Sequence, residues 1–452
     1  MKFLKINILL LSLLLSAAIA LSGCSEKNDG AGALLALLFL PNPAPAITLP
    51  AGATLLGSGV ERIDSRSQPY YLLRLDYDGK EPAYAMWIPS PEGGLKPAVV
   101  MTNPYDGITW NGDTPPTGTA LYSYRTYIEG ATIFSINGFG VLHAFGRFYT
   151  KGNLQNDVDD MTAGLRFLAD SGFADTARLG IYGGSWGGFE ALYGAANAPA
   201  GAVPSAGVAL YPPVDFKEFE RYVTVDIPVI ADATKESQYV SFYQAYLERM
   251  YATPGWDTWT TAALAGKLST KFLVVHDEWD TLVPVWHSQD LVTRAGGMVE
   301  PVWFCQDTSL DLNALPFGWG HGELRQSQMD SSPPPAFTYG ILHTFSTVFL
   351  IRKLADPGQR IYAGYDLNAI NDFIVYIRDY KCSHGKNLSW AAARLRDLAD
   401  ERVLLLEMNT GAWAAGADVV AKAFSDAGWG GASYGTASTV GAALESWLPS
   451  CP

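Results

Sequence analysis

The chain is poor in cysteine, poor in charge and poorer still in basic charge. Four Cys among 452 residues cannot staple a small disulfide scaffold. Charged residues make up 17% against 48% hydrophobic, which suits a large buried core and excludes a disordered polyelectrolyte. Lys and Arg number 31 against 45 Asp and Glu, a formal charge of −14. That field repels a phosphate backbone, so no nucleic-acid partner is expected. His and Cys are scattered, with neither a His-Glu-x-x-His nor a Cys-x-x-Cys pairing, so no metal site is expected. The glycine-rich stretch 183–188 lacks the Lys that a phosphate-cradling loop needs, and no cofactor is expected. The 45 Gly and 27 Pro follow no Gly-X-Y period, which excludes collagen. No internal repeat is visible.

A long hydrophobic run is also missing. Ile8–Leu21 is almost wholly apolar and follows Lys2 and Lys5, but it is shorter than the ~20 residues a spanning helix needs. It reads as a cleaved signal, residues 1–23. The run ends in Leu21-Ser22-Gly23-Cys24, which resembles a bacterial lipobox. That resemblance implies diacylation of Cys24, with the membrane as a partner through the lipid and an extracytoplasmic, cell-envelope location. The alternative is an ordinary secretory signal with an incidental Cys. Loss of the two lysines takes the formal charge from −14 to −16. Residues 24–60, with Pro41, Pro43, Pro45 and Pro50, read as a tether.

Beyond the tether, short apolar runs alternate with helical periodicity. Tyr70–Tyr77 and Ala83–Ile88 flank an Asp78-Gly79 turn, and read as a hairpin. Pro97–Asn103, Gly138–His143, Arg178–Tyr182, Ala206–Tyr211, Lys271–His276 and Val299–Phe304 read as strands. Asp157–Ala169, Trp186–Ala196 and Val285–Thr293 read as helices. This alternation predicts an α/β fold, a mostly parallel eight-stranded sheet with helices on both faces, over residues 61–330. Residues 216–268 interrupt the alternation and are rich in Tyr, Trp and Phe. They read as a lid inserted over a catalytic edge. Residues 331–452 read as a mainly helical C-terminal extension, notably Phe337–Leu354 and Leu388–Leu406.

The sharpest chemical signal is Gly183-Gly-Ser185-Trp-Gly187-Gly188 between a predicted strand and helix. A Gly-x-Ser-x-Gly in that context is a nucleophile elbow, a tight turn that exposes the hydroxyl above the sheet. The backbone N–H of Trp186 then faces the position of an oxyanion. A serine nucleophile needs a base, and the base an orienting carboxylate, in the chain order Ser, Asp, His. Asp280, in the loop leaving Lys271–His276, is the candidate acid, with Asp277 and Glu278 as alternatives. Of the six His, His321 in Gly318-Trp-Gly-His-Gly322 fills the slot after the last strand. His143, His276, His287, His343 and His384 sit at strand ends, in helices or in a late loop, and His343 reads as a packed core residue.

These segments resemble the catalytic domain of the prolyl oligopeptidase family, within the α/β-hydrolase fold. The likeness covers about 97–330 and rests on Gly183–Gly188, Ala209–Asp215, His276–Pro284 and Gly320-His-Gly322. It implies catalysis by Ser185, Asp280 and His321. Asn103-Pro-Tyr105-Asp-Gly107 resembles the oxyanion segment of X-prolyl dipeptidyl peptidases and cocaine-esterase-like hydrolases, which implies that the Tyr105 hydroxyl is a second oxyanion donor. Two departures stand out. Asp277 replaces the usual Gly after the acid-loop His, and residues 1–96 are too few for the family's β-propeller. No anchor for a peptide N-terminus is visible.

The resulting expectation is a serine hydrolase acting on a small peptide, with a carboxylesterase as the alternative and a catalytically idle binding lipoprotein as the rival from another class. With Cys24 acylated, Cys382 and Cys451 could pair outside the cytoplasm and leave Cys305 as a buried thiol. Oligomeric state is not legible.

Overall fold

A computed structural model describes residues 44–63, 66–103, 124–148, 152–278, 280–304, 312–313, 317–318, 320–321, 341–371, 373–374, 389–407 and 410–426. The described residues all belong to one compact unit. Its centre is a nine-stranded sheet: β1 (Ala53–Ile63), β2 (Arg66–Leu75), β3 (Ala83–Ile88), β4 (Lys96–Asn103), β5 (Gly140–Phe145), β6 (Ala174–Gly184), β7 (Ala206–Leu210), β8 (Lys271–Asp277) and β9 (Val299–Phe304). The spatial order is β1-β2-β3-β5-β4-β6-β7-β8-β9. The pairs β1/β2, β2/β3 and β3/β5 are antiparallel, and every pair from β5/β4 to β8/β9 is parallel.

One strand more than expected is present. It is β1, which begins inside the stretch read as tether. It pairs with β2 along nearly its whole length, and only Gly59 of it is buried, as suits an edge strand. Tyr71 ties the segment before it to the domain, its hydroxyl donating to the Pro45 carbonyl at 2.7 Å. The hairpin turn falls where the sequence places it, with positive φ at both Asp78 and Gly79, as the primed hairpin turns require.

Residues along each strand alternate between two cores. Leu273 and Val275 of β8 face one, Phe272 and Val274 the other, as the period-2 pleat demands. The parallel strands are buried on both faces and so read as continuous apolar runs. One face is covered by α1 (Tyr124–Ser135) and α9 (Ile341–Leu354). The other is covered by α2 (Leu154–Asp170), α3 (Trp186–Ala196) and α8 (Trp286–Ala295). A capping box starts α2: the Asn153 side chain accepts from Asn156 N–H, and the Asn156 side chain accepts from Asn153 N–H.

The insertion between β7 and β8 is all helical: α4 (Phe216–Arg221), a π-helical turn (Tyr222–Asp226), α5 (Ile227–Ile230), α6 (Ala233–Tyr251) and α7 (Thr261–Ala265). The C-terminal part departs from a purely helical reading. Beside α9, α10 (Ser389–Leu398) and α11 (Gly416–Asp426) it holds a three-stranded sheet, with β10 (Ile361–Tyr365) parallel to β11 (Val403–Glu407) and β12 (Trp413–Ala415) antiparallel to it. The expected helix Leu388–Leu406 therefore breaks. Asp400 accepts from Arg402 N–H at 2.9 Å and closes a turn, after which Val403–Glu407 buries alternate residues as a strand does. Asn137 binds Tyr362 of β10 through both backbone groups and joins this sheet to the main body.

Candidate active site

Ser185 sits between β6 and α3 with φ 55° and ψ −125°. A non-Gly residue held there costs about 1–3 kcal/mol and persists only when its surroundings fix it. They do: Ser185 N–H donates to Leu210 O at 2.9 Å, and its carbonyl accepts from Gly188 and Phe189. The small residues around it are a steric requirement. A Cβ on Gly183 would lie 2.1 Å from Gly187 O and 2.3 Å from the Thr102 hydroxyl. Trp186 is the first residue of α3, so its N–H is among those a helix leaves unpaired, at the positive end of the helix dipole.

His321 Nε2 lies 2.8 Å from Ser185 Oγ, and His321 Nδ1 lies 2.8 Å from Asp280 Oδ2. Three residues far apart in sequence thus form one hydrogen-bonded line. The histidine loop turns through positive φ at Gly318 and Gly320, and His321 N–H donates to Gly318 O at 3.1 Å. The ring is seated by Tyr211, whose edge meets it at a centroid distance of 4.5 Å. Of the three carboxylates weighed in the acid loop, Asp280 is the one that accepts from His321. Asp277 is the last residue of β8 and is buried, and its carbonyl accepts from Asp280 N–H.

The Asp280 carboxylate is buried. Burial by itself would raise its pKa, but the His321 charge and the N–H groups that His276 and His321 turn toward it outweigh burial and bring it down to about 2. The second oxygen, Oδ1, accepts from Leu282 N–H at 2.8 Å and Val283 N–H at 2.9 Å.

The insertion reaches this loop directly. The Tyr222 hydroxyl donates to Thr281 O at 2.8 Å and the Tyr243 hydroxyl to Leu282 O at 2.5 Å. Phe219, Phe242, Tyr243 and Tyr246 of the insertion, with Trp186, Pro213, Leu282 and Val283, line a narrow cleft that opens onto Ser185 and His321. No charged side chain lines it among the described residues. Beneath the cleft, Trp186 Nε1–H donates to Asp157 Oδ2 at 3.1 Å, and Arg249 of α6 donates to the same carboxylate, Nε to Oδ2 at 2.7 Å and Nη2 to Oδ1. This ion pair is almost fully buried.

Tyr105 and Cys24 lie outside the described residues, as do His384, Cys305, Cys382 and Cys451. The strand before Tyr105 in sequence, β4, ends at Asn103, paired with Phe145 of β5. Three of the other described histidines are engaged elsewhere. His143 Nε2 meets Tyr127 O at 2.9 Å, His343 Nδ1 meets the Tyr182 hydroxyl at 3.0 Å, and His287 Nδ1 accepts from Asp215 N–H at 3.2 Å. Sequence reasoning missed the buried Asp157–Arg249 pair and the lid tyrosines, since nothing local marks which of 23 Tyr meets a catalytic loop.

Residues 129–299 match the family model described as prolyl oligopeptidase family. No curated protein matches the chain. Solved structures similar to it include Porphyromonas gingivalis dipeptidyl peptidase 4 (16% identity over 54% of this chain and 32% of that one, TM-score 0.37). An acetyl xylan esterase from Paenibacillus sp. R4 is 16% identical over 61% of this chain and 93% of that one, TM-score 0.40. A puromycin-hydrolyzing peptidase from Mycobacterium tuberculosis is 17% identical over 56% and 42%, TM-score 0.34. The chain spans about a third of the dipeptidyl peptidase. The fold assignment stands on the sheet order and the elbow. By these features the chain has the α/β-hydrolase fold with a serine-hydrolase triad, and its residues 129–299 match the prolyl oligopeptidase family.

Proposed function

We propose that the protein is a serine hydrolase that cleaves a peptide amide bond through an acyl-enzyme. The observation that carries this reading is the unbroken line Ser185–His321–Asp280, with both of its links at 2.8 Å. Ser185 Oγ attacks the carbonyl while His321 Nε2 takes its proton. His321 then delivers that proton to the leaving group, and water releases the acyl group by the same steps. Asp280 holds the ring with Nδ1 protonated and stabilises the imidazolium as it forms. The Trp186 amide, and Tyr105 by resemblance, receive the oxyanion. The family match over 129–299 favours a peptide bond. A second reading, an ester of a small acyl group, is favoured by the cleft, which is lined by aromatic side chains and, among the described residues, by no charged one to anchor a chain terminus. An idle binding lipoprotein is the reading disfavoured by an intact triad. The lipid on Cys24 and an extracytoplasmic location at the membrane are part of the proposal.

A fluorophosphonate probe, followed by a panel of p-nitrophenyl esters and Pro-containing peptide amides, tests the activity and ranks the two substrate classes. Labelling of the wild type and none of Ser185→Ala is expected. A folded wild type that stays unlabelled and turns over nothing would remove the enzyme reading.

A further inference from the structure

Behind the catalytic carboxylate lies a second imidazole that the proposed mechanism does not use. His276, near the end of β8, is fully buried. Its Nε2 is 2.7 Å from Val283 O and 3.3 Å from Asp280 Oδ2, the same oxygen that His321 engages. Both neighbours of Nε2 are acceptors, so Nε2 carries a proton. Nδ1 is 2.7 Å from Ser288 Oγ of α8, a hydroxyl able to donate. A neutral ring with Nε2–H is thereby satisfied at both nitrogens without a second buried positive charge. The hydrogen bond proper goes to the Val283 carbonyl, with the Asp280 oxygen at a longer, electrostatic distance. Val283 N–H in turn donates to Asp280 Oδ1. His276, Val283 and Asp280 therefore form a closed ring of contacts that fixes the acid loop at both carboxylate oxygens.

We propose that His276 is a positioning residue, which holds the acid loop through Val283 and shares Asp280 Oδ2 with His321, so that it sets both the orientation and the basicity of the catalytic acid. Ser288 fixes its tautomer. The titratable groups that face this pair are His321 from the histidine loop, Tyr222, Tyr239 and Tyr243 from the insertion, and His287 from α8. None of these except His321 touches Asp280 within ion-pair distance among the described residues. Removing the Nε2–H dipole concentrates the carboxylate charge on His321 and makes that ring a stronger base.

The inference rests on the hydrolase reading for its kinetic consequence, but not for its physical one. His276→Leu removes the donor, and His276→Gln returns an N–H near the position of Nε2. Histidine-selective NMR follows the His321 titration directly, whether or not the protein turns over substrate. The Leu variant is expected to raise the His321 midpoint by about half a pH unit or more. It is expected to lower kcat about tenfold with KM near wild type, the pattern of a group that acts on the transition state. The Gln variant is expected to restore both. If the Leu variant does not fold, Ser288→Ala, which frees the tautomer, is expected to move the midpoint in the same direction by less. A folded Leu variant with a wild-type His321 midpoint, a Gln variant as impaired as Leu, or, where Leu does not fold, a Ser288→Ala midpoint unchanged from wild type would each overturn the assignment. An unlabelled wild type whose His321 midpoint still shifts would sink the hydrolase reading and leave the positioning role standing.

Discussion

Asp280 receives donors on every side: two backbone amides on one oxygen and two imidazoles on the other. That is why a carboxylate with no exposed side-chain surface titrates at about 2 rather than above its ordinary value. Replacing it by Asn should leave the fold intact but present an amide N–H or the wrong acceptor to His321 and favour the wrong tautomer. The expected loss is about 10³–10⁴-fold in kcat with KM little changed, read from steady-state kinetics. The sign of the acid dependence follows. A folded pKa below the unfolded value contributes stability that is present above about pH 4 and lost as pH falls through about 2.

At the scale of elements, the helix α6 does two jobs. Its aromatic side chains roof the cleft, and Tyr243 grips the acid loop. Its last turn carries Arg249, which pairs with Asp157 of α2 directly below Trp186. The insertion is thus fastened to the floor of the site through a charge that has left water. Arg249→Leu leaves Asp157 in the core with the indole N–H as its one side-chain donor among the described residues, and should cost about 3–5 kcal/mol in urea unfolding. Arg249→Leu combined with Asp157→Leu should cost distinctly less than Arg249→Leu alone, because no unpaired charge remains buried. Equal losses in the two variants would show that packing, not charge, makes the join.

For the whole molecule, the sheet sets the chemistry by where its strands end. β6, β7 and β8 run parallel and side by side, so the elbow, Tyr211 and the acid loop all leave at one carboxyl edge. The same burial that builds the two cores makes the fold sensitive to acid. His143 lies in β5 at 2% exposure, and desolvation outweighs its hydrogen bond to Tyr127 and lowers its pKa to about 4. The folded state keeps this ring neutral while the unfolded chain protonates it below about pH 6.5. Stability is therefore complete above that pH and declines as pH falls toward 4, by at most on the order of 3 kcal/mol from this group. His143→Gln should flatten the decline, measured as denaturation midpoints between pH 7 and 4. An unchanged slope would assign the decline to other groups.

Local features of the chain were legible without a fold. The Gly183–Gly188 elbow, the Asp78-Gly79 turn and the apolar strands β5, β7 and β8 are each determined within a few residues, by backbone sterics or by burial on both faces. The insertion is legible as a break in alternation. The edge strand β1 was not, because an edge strand needs little hydrophobic sequence once a partner is present. The C-terminal strand pair β10/β11 was not either, because parallel pairing joins segments some 40 residues apart and leaves no local turn signal.

From the sequence alone Ser185 stands out as the candidate nucleophile, since its neighbours in the elbow must be small, and the candidate acid and base follow by their order along the chain. Only the tertiary fold shows which carboxylate of three meets His321, that a second imidazole, His276, stands behind it, and that tyrosines of the insertion donate to the acid loop. These are contacts across 41, 136 and 39 positions, and within the loop over four. The physical reason is that hydrogen-bond geometry between side chains depends on where strands end in space, and no spacing within one segment encodes that.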